Sequence, residues 1–135
     1  MILMDSSVLY ALIDEQQPKH TLCHQTLNQI RSPLITTLPC LTEAMYFAYK
    51  AGGGMLQRRL WEMLAEGFFS LYFQNEMEVS QMMALMETYH DRPMDFADAS
   101  LMATAHTLNI RTVFTLDSDF YIYRFRDNGT FNVIP

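Results

Sequence analysis

The sequence predicts an α/β protein, a three-layer α/β/α sandwich built on a central parallel sheet of four to five short strands. Short apolar runs alternate along the chain with longer segments whose apolar residues recur at helical spacing. Strands that alternate with helices form parallel sheets with helices on both faces. No internal repeat or linker interrupts the 135 residues, so we expect residues 1–135 to form one domain.

Several runs have the length and the residue types of strands. The run over residues 1–4 is apolar throughout and stops at Asp5, a pattern typical of a buried central strand in a parallel sheet. The run over residues 68–73 is rich in aromatic residues, which are favoured in strands. The predicted strands cover residues 1–4, 33–37, 68–73, 111–116 and 131–134.

Apolar residues at helical spacing predict the helices between these strands. Ser6 and Ser7 are suited to begin the first helix, which Pro18 ends. Pro39 suits the first turn of a later helix, where its missing N–H has no cost. The glycines at 52–54 break the helical pattern. The other predicted helices cover residues 19–31, 40–50, 55–66, 76–89 and 95–108.

The composition is that of a folded protein, with 50% hydrophobic and 18% charged residues. No apolar run approaches the roughly 18 residues of a membrane span. The N-terminus lacks the basic region of a signal peptide, so we expect a cytoplasmic protein with no membrane partner. Cys23 and Cys40 have no Cys-x-x-Cys neighbour. In a reducing compartment we expect both to be small buried residues rather than a disulfide.

The formal net charge of −6 is unfavourable for a protein that binds nucleic acid, because phosphate binding normally requires a basic surface. Three explanations are open. The acidic groups are concentrated where cations bind, or a partner supplies positive charge, or the protein does not touch nucleic acid.

Four carboxylates are predicted to meet at one edge of the sheet. Asp5 and Asp117 directly follow predicted strands, while Glu43 and Asp98 lie near the first turns of two predicted helices. Ligands of open α/β sheets bind beyond the carboxyl ends of the strands. Carboxylates in one cleft repel each other, and a divalent cation relieves that repulsion. Oxygen ligands favour Mg²⁺ or Mn²⁺, which can activate water for phosphodiester hydrolysis.

Each acidic residue also has a purely structural interpretation. Asp95 and Asp98 have the spacing of a helix cap and its acidic partner. Asp117 and Asp119 are suited to cap the turn after a strand, and Glu43 to lie on a solvated helix surface. Asp5 fits a structural role least well, because a carboxylate that ends a buried strand is costly to desolvate without a partner.

Taken together, four sequence motifs resemble those of PIN domains, particularly the VapC-type toxins of bacterial toxin–antitoxin systems. The motifs occur in the order found in that family and span nearly the whole chain. They are Met-Ile-Leu-Met-Asp-Ser-Ser at residues 1–7, Leu-Thr-Glu at 41–43, Pro-Met-Asp-Phe-Ala-Asp-Ala-Ser-Leu-Met-Ala at 93–103, and Thr-Val-Phe-Thr-Leu-Asp-Ser-Asp-Phe at 112–120.

The resemblance implies a metal-dependent endoribonuclease that acts on RNA, commonly as a homodimer with a cognate antitoxin. Carried over position by position, it makes Asp5, Glu43, Asp98 and Asp117 the acidic quartet that binds Mg²⁺ or Mn²⁺ and performs catalysis. The resemblance also assigns possible auxiliary roles to four further residues. Ser6 is the small hydroxyl beside the first acid, and Thr115 is the polar residue before the fourth. Asp95 and Asp119 are two further carboxylates.

Two other functions are the alternatives to this one. An aspartyl phosphatase would place a second Asp two residues after Asp5, where this chain has Ser7. A catalytically weak PIN-like domain could instead serve as a protein- or RNA-binding module, which the negative charge favours and the complete quartet opposes. His20 and His24 have helical spacing, but no further metal ligands accompany them, so we expect a packing or surface role.

Overall fold

The computed structural model describes residues 1–135 and contains one parallel five-stranded sheet. The strands are β1 (Ile2–Met4), β2 (Leu34–Thr37), β3 (Ser70–Tyr72), β4 (Thr112–Phe114) and β5 (Asn132–Ile134). Their spatial order is β3-β2-β1-β4-β5. The chain therefore adds β2 and β3 on one side of β1, and then adds β4 and β5 on the other side. The junction between β1 and β4 is thus a topological switch point.

Six helices and a short 3₁₀ helix connect the strands. The helices are α1 (Ser6–Ile13), α2 (His20–Gln29), α3 (Leu38–Gly52), α4 (Gly54–Ala65), α5 (Glu76–Thr88) and α6 (Phe96–Leu108), with the 3₁₀ helix at Ser118–Tyr121. The predicted α/β/α sandwich is thus confirmed. The sequence did not predict the 3₁₀ helix, and α3 begins two residues before the predicted start, since Thr37 caps it by accepting a hydrogen bond from the Cys40 N–H.

Alternate side chains of each strand enter different hydrophobic cores, as the strand period of two requires. Leu3 pairs with Ile35 and Val113, and all three enter the core beneath α5 and α6. Met4 pairs with Phe114, and both enter the core beneath α1, α3 and α4. Both faces of the sheet are therefore covered, which explains why the central strand β1 is apolar throughout.

The C-terminal end of α1 is held by side chains from α2 and α4. The His20 Nδ1 lies 2.7 Å from the Ala11 carbonyl, and the His24 Nε2 lies 2.9 Å from the Leu12 carbonyl. Arg59 donates to the Ile13 carbonyl at 2.8 Å. These bonds satisfy carbonyls that have no partner within the helix. The two histidines therefore have the structural role expected of them.

Cys23 and Cys40 are both buried and unpaired, as the sequence predicts. Gly53, with φ of 66°, separates α3 from α4 in a backbone conformation that favours glycine. None of the helices combines the length and the apolar composition needed to cross a membrane.

Candidate active site

Asp5 lies at the carboxyl end of the central strand and caps α1. Its side chain is buried, with 3% of the residue exposed. The Ser6 N–H donates to Asp5 Oδ1 at 2.7 Å, and the hydroxyls of Ser7 and Thr115 donate to Oδ2, each at 2.7 Å. The cost of burying this carboxylate is therefore offset by neutral donors rather than by a cation.

The Ser7 and Thr115 hydroxyls also join the ends of β1 and β4. The Leu116 N–H donates to the Ser7 Oγ at 3.0 Å, and the Asp117 N–H donates to the Thr115 Oγ1 at 2.9 Å. The backbone before Asp117 is thus fixed relative to Asp5. Thr115 was predicted here as an auxiliary residue. Ser7 was not, because its only sequence signal is a second hydroxyl after the aspartate.

Glu43 lies in the second turn of α3, slightly deeper in the helix than predicted, and is half-buried. The Ser6 Oγ lies between two carboxylates, donating to Glu43 Oε1 and lying 3.3 Å from Asp5 Oδ1. Burial raises the pKa of Glu43, the Ser6 hydrogen bond lowers it, and the charges of Asp95, Asp5 and Asp117 raise it further. The structure thus brings Glu43 into the same electrostatic environment as Asp5.

Asp98 is the most perturbed carboxyl group of the site. It lies in the first turn of α6 with 5% of the residue exposed. Burial, followed by the charges of Asp95 and Asp5, raises its pKa to about 8, and Asp117 adds to this shift. The Tyr123 hydroxyl donates to Asp98 Oδ2 at 2.9 Å and opposes the increase. Tyr123 was not predicted, because its position in the chain shows no relation to Asp98.

Asp117 follows β4 and caps the 3₁₀ helix by accepting the Asp119 N–H at 2.9 Å. Carboxylate oxygens of Asp98, Asp117 and Asp119 lie within 4.8 Å of one another. Asp119 also forms an ion pair with Arg92 at 3.1 Å. Asp5 and Glu43 lie outside this trio. The site therefore consists of two adjoining clusters of acidic side chains, the pair Asp5 and Glu43 and the trio of aspartates.

Asp95 and Asp117 have the capping roles predicted for them, whereas the Asp98 side chain does not complete a cap. Asp95 is the N-cap of α6 and accepts the Asp98 N–H at 2.7 Å. Asp98 does not complete a capping box, because its side chain bonds to Tyr123 instead. Asp117 does cap the following turn, yet burial raises its pKa, and the charges of Asp119, Asp5 and Asp95 add to that effect.

The quartet has no positively charged partner within the protein. The two ion pairs of the molecule are Arg92–Asp119 and Arg111–Asp127, and neither includes Asp5, Glu43, Asp98 or Asp117. An oxygen-only donor set with this excess of negative charge fits a hard divalent cation. A cavity of about 220 Å³ adjoins the site and is lined by Lys19, Thr115 and Asp117 among others.

The sheet order, the position of the acids beyond the carboxyl ends of β1 and β4, and their spacing in the sequence together define a PIN domain. The sequence model of the PIN domain family matches residues 2–126. The chain belongs to the PIN domain family, and the resemblance described above is confirmed.

Solved structures with the same fold come from several bacteria. VapC20 of Mycobacterium tuberculosis, a toxin described as cleaving the sarcin–ricin loop, has a TM-score of 0.86 at 17% identity over 100% of both chains. A toxin–antitoxin complex from Klebsiella pneumoniae has a TM-score of 0.68 at 21% identity, covering 89% of this chain and 90% of that one.

FitAcB of Neisseria gonorrhoeae has a TM-score of 0.61 at 21% identity, covering 87% of this chain and 88% of that one. No significant match was found among curated protein sequences. At these identities the structural neighbours establish the shared fold.

Proposed function

We propose that this chain is a divalent-metal-dependent endoribonuclease, the VapC-type toxin of a toxin–antitoxin pair, that acts as a single domain on cytoplasmic RNA. One observation gives this proposal its main support. Asp5, Glu43, Asp98 and Asp117 adjoin one another at the carboxyl ends of the strands with no cation of the protein to balance them. Membership of the PIN domain family supports the same conclusion.

Asp5, Glu43, Asp98 and Asp117 would hold the cation, and Asp119 lies close enough to Asp98 and Asp117 to contribute. When bound, Mg²⁺ or Mn²⁺ supplies positive charge that makes water a better nucleophile and stabilises the leaving oxygen of a phosphodiester. Asp98 must lose a proton to become a ligand, since burial and neighbouring acids raise its pKa to about 8. Cation binding and the release of that proton are therefore coupled.

The other polar groups of the site position these carboxylates. Ser7 and Thr115 fix the orientation of Asp5, and Ser6 holds Glu43 beside it. Tyr123 holds Asp98. Because each carboxylate is restrained before substrate arrives, little reorganisation is needed when a phosphodiester binds. The Lys19 side chain, in the cavity next to Asp117, is placed to contact a phosphate of the RNA.

A cognate antitoxin and a second copy of the chain are the proposed protein partners. Of the structural neighbours, the one from Klebsiella pneumoniae is described as a toxin–antitoxin complex. Large exposed apolar side chains on α3 and α4, which are unusual on a monomer surface when they occur close together, support an interaction surface. They include Tyr46, Phe47, Tyr49 and Trp61.

A catalytically weak domain that binds protein or RNA is the second candidate, and the net charge of −6 favours it. Cleavage of a labelled RNA distinguishes the two functions. It is measured for the wild type and for the Asp5→Asn variant, with and without Mg²⁺. A ribonuclease loses Mg²⁺-dependent cleavage in this variant while circular dichroism shows an intact fold.

The matched control is Glu62→Gln, which removes one exposed carboxylate of α4 away from the site and should cleave as the wild type does. Equal cleavage by the Asp5→Asn variant and the wild type would exclude the proposed active site. Absence of cleavage by the wild type with either metal would favour the binding module.

A further inference from the structure

A second polar site lies away from the carboxylates, where α6 ends and β4 begins. It is a cavity of about 370 Å³ lined by eight residues, of which one is hydrophobic. His106, in its wall, follows Asp98 by eight positions in α6, a separation of about 12 Å along the helix axis. We name this site the arginine cavity. The residues that line it include Gln81, His106, Arg111, Phe125, Arg126 and Asp127.

Positive charge exceeds negative charge in the arginine cavity, although the chain as a whole is acidic. Arg111 donates two hydrogen bonds to Asp127, at 3.2 and 2.7 Å, and its guanidinium carbon lies 3.9 Å from the centre of the Phe125 ring. Arg126 forms no ion pair. One guanidinium is therefore left uncompensated, and an anion is the ligand that would balance it.

The local backbone keeps this arrangement in place. The Gly129 N–H donates to Asp127 Oδ1 at 2.8 Å. A Cβ atom added at Gly129 would collide with Arg111 Nη1 and lie 2.8 Å from Asp127 Oδ1. The arginine–aspartate pair is therefore seated directly against the turn at Gly129.

Two residues of the cavity have hydrogen-bonding groups without partners. Gln81 Oε1 and His106 Nε2 are both buried and unpaired, and they are the only such side-chain atoms in the molecule. Unpaired buried polar atoms are uncommon in folded proteins because each loses its bonds to water. Both residues also line an adjoining cavity of about 320 Å³. The terminal torsions of Gln and His are broad, so either group can turn towards a ligand.

We propose that the arginine cavity binds a nucleotide unit. Its phosphate would lie against Arg126 and the outer edge of Arg111, and the hydrogen-bonding groups of its sugar or base would pair with Gln81 and His106. An inorganic phosphate against the arginines would leave Gln81 and His106 without partners, whereas a nucleotide also carries hydrogen-bonding groups for them. The unit is either a free mononucleotide or one nucleotide of an RNA chain.

Binding is tested in EDTA, so that it does not depend on the metal site. The probes are AMP, followed by calorimetry, and a short fluorescent 2′-O-methyl RNA that cannot be cleaved, followed by anisotropy. Arg126→Gln should weaken binding about tenfold or more, since a charge-assisted contact is lost. Arg58→Gln removes the same charge from an exposed position on α4 and should bind as the wild type does.

Gln81→Leu provides an independent measurement. Removal of an unpaired buried polar atom should raise the melting temperature, while loss of its ligand contact should weaken nucleotide binding. Asp5→Asn should bind AMP as the wild type does, which separates this site from the proposed ribonuclease site.

Binding of AMP alone identifies a free nucleotide as the ligand, and binding of the RNA alone identifies a nucleotide within a chain. The proposal is overturned if the wild type binds neither probe, if Arg126→Gln and Arg58→Gln behave alike, or if Gln81→Leu binds as tightly as the wild type.

Discussion

Replacement of Asp98 by Asn should stabilise the metal-free protein at alkaline pH. Burial and the charges of Asp95 and Asp5 raise the pKa of Asp98 to about 8, whereas an aspartate in an unfolded chain has a pKa of about 3.9. Between these values the folded state keeps a proton that the unfolded state releases. The free energy of unfolding of the wild type therefore falls as the pH rises from about 4 to about 8.

The magnitude follows from the number of protons. A difference of one bound proton changes the free energy of unfolding by about 1.4 kcal/mol per pH unit, so Asp98 lowers the stability of the wild type by about 3 kcal/mol between about pH 5 and pH 7. Asn cannot ionise, and its side-chain oxygen can still accept the Tyr123 hydroxyl. A weaker slope should remain in the variant, because the pKa values of Glu43 and Asp117 are also raised.

The assay is urea denaturation in EDTA, followed by circular dichroism, over the range from about pH 5 to about pH 8. Asp127→Asn is the control. Its hydrogen bonds with Arg111 and the Gly129 N–H lower the pKa of Asp127 to about 2, so this group does not titrate in the range and the slope should not change. Equal slopes for the wild type and the Asp98→Asn variant would refute the assignment, as would a wild-type stability independent of pH.

Three further substitutions probe the surroundings of the site and the core. Tyr123→Phe removes the buried hydroxyl that donates to Asp98 and should lower the free energy of unfolding by about 1–3 kcal/mol in urea titrations; an unchanged midpoint would contradict this. Glu78→Gln weakens the capping box of α5 and the bond from the Tyr72 hydroxyl, for an expected loss of about 1 kcal/mol, and retention of full thermal stability would argue against a role for that cap. Leu101→Ala leaves a gap at a fully buried residue of α6 and should lower the free energy of unfolding by about 2–5 kcal/mol in denaturation experiments. A cost below about 1 kcal/mol would show that the core collapses around the gap.

Much of the fold was predictable because short-range patterns report it directly. The apolar run that ends at Asp5 identified the central strand, and a continuous apolar run is expected only where both faces of a strand are buried. The positions of the four acids after strands and near helix starts, together with the family motifs, then predicted the acidic quartet. The end of β4 was predicted two residues too late. Residues 115 and 116 have side chains typical of a strand, but the chain leaves the strand after Phe114 and brings Thr115 to Asp5.

Other features depend on contacts between distant parts of the chain and leave no local pattern. The Tyr123–Asp98 bond and the second hydroxyl at Ser7 are set by the packing of whole elements. The same is true of the division of the helices, with α1 to α4 on one face and α5 and α6 on the other. A single sequence also could not show that Asp119 adjoins Asp98, because the 3₁₀ helix that places it is only four residues long.

The order of the strands determines when, during synthesis, the acidic quartet can come together. The central strand β1 pairs with β2 on one side and with β4 on the other, and the Thr115 hydroxyl reaches Asp5 across 110 positions of sequence. Consider a nascent chain of which only the residues up to β3 have emerged from the ribosome. It has one open edge on β1 and lacks both Thr115 and Asp117. Such a chain cannot bring the acidic quartet together, so the proposed site can form only after Asp117 has emerged from the ribosome.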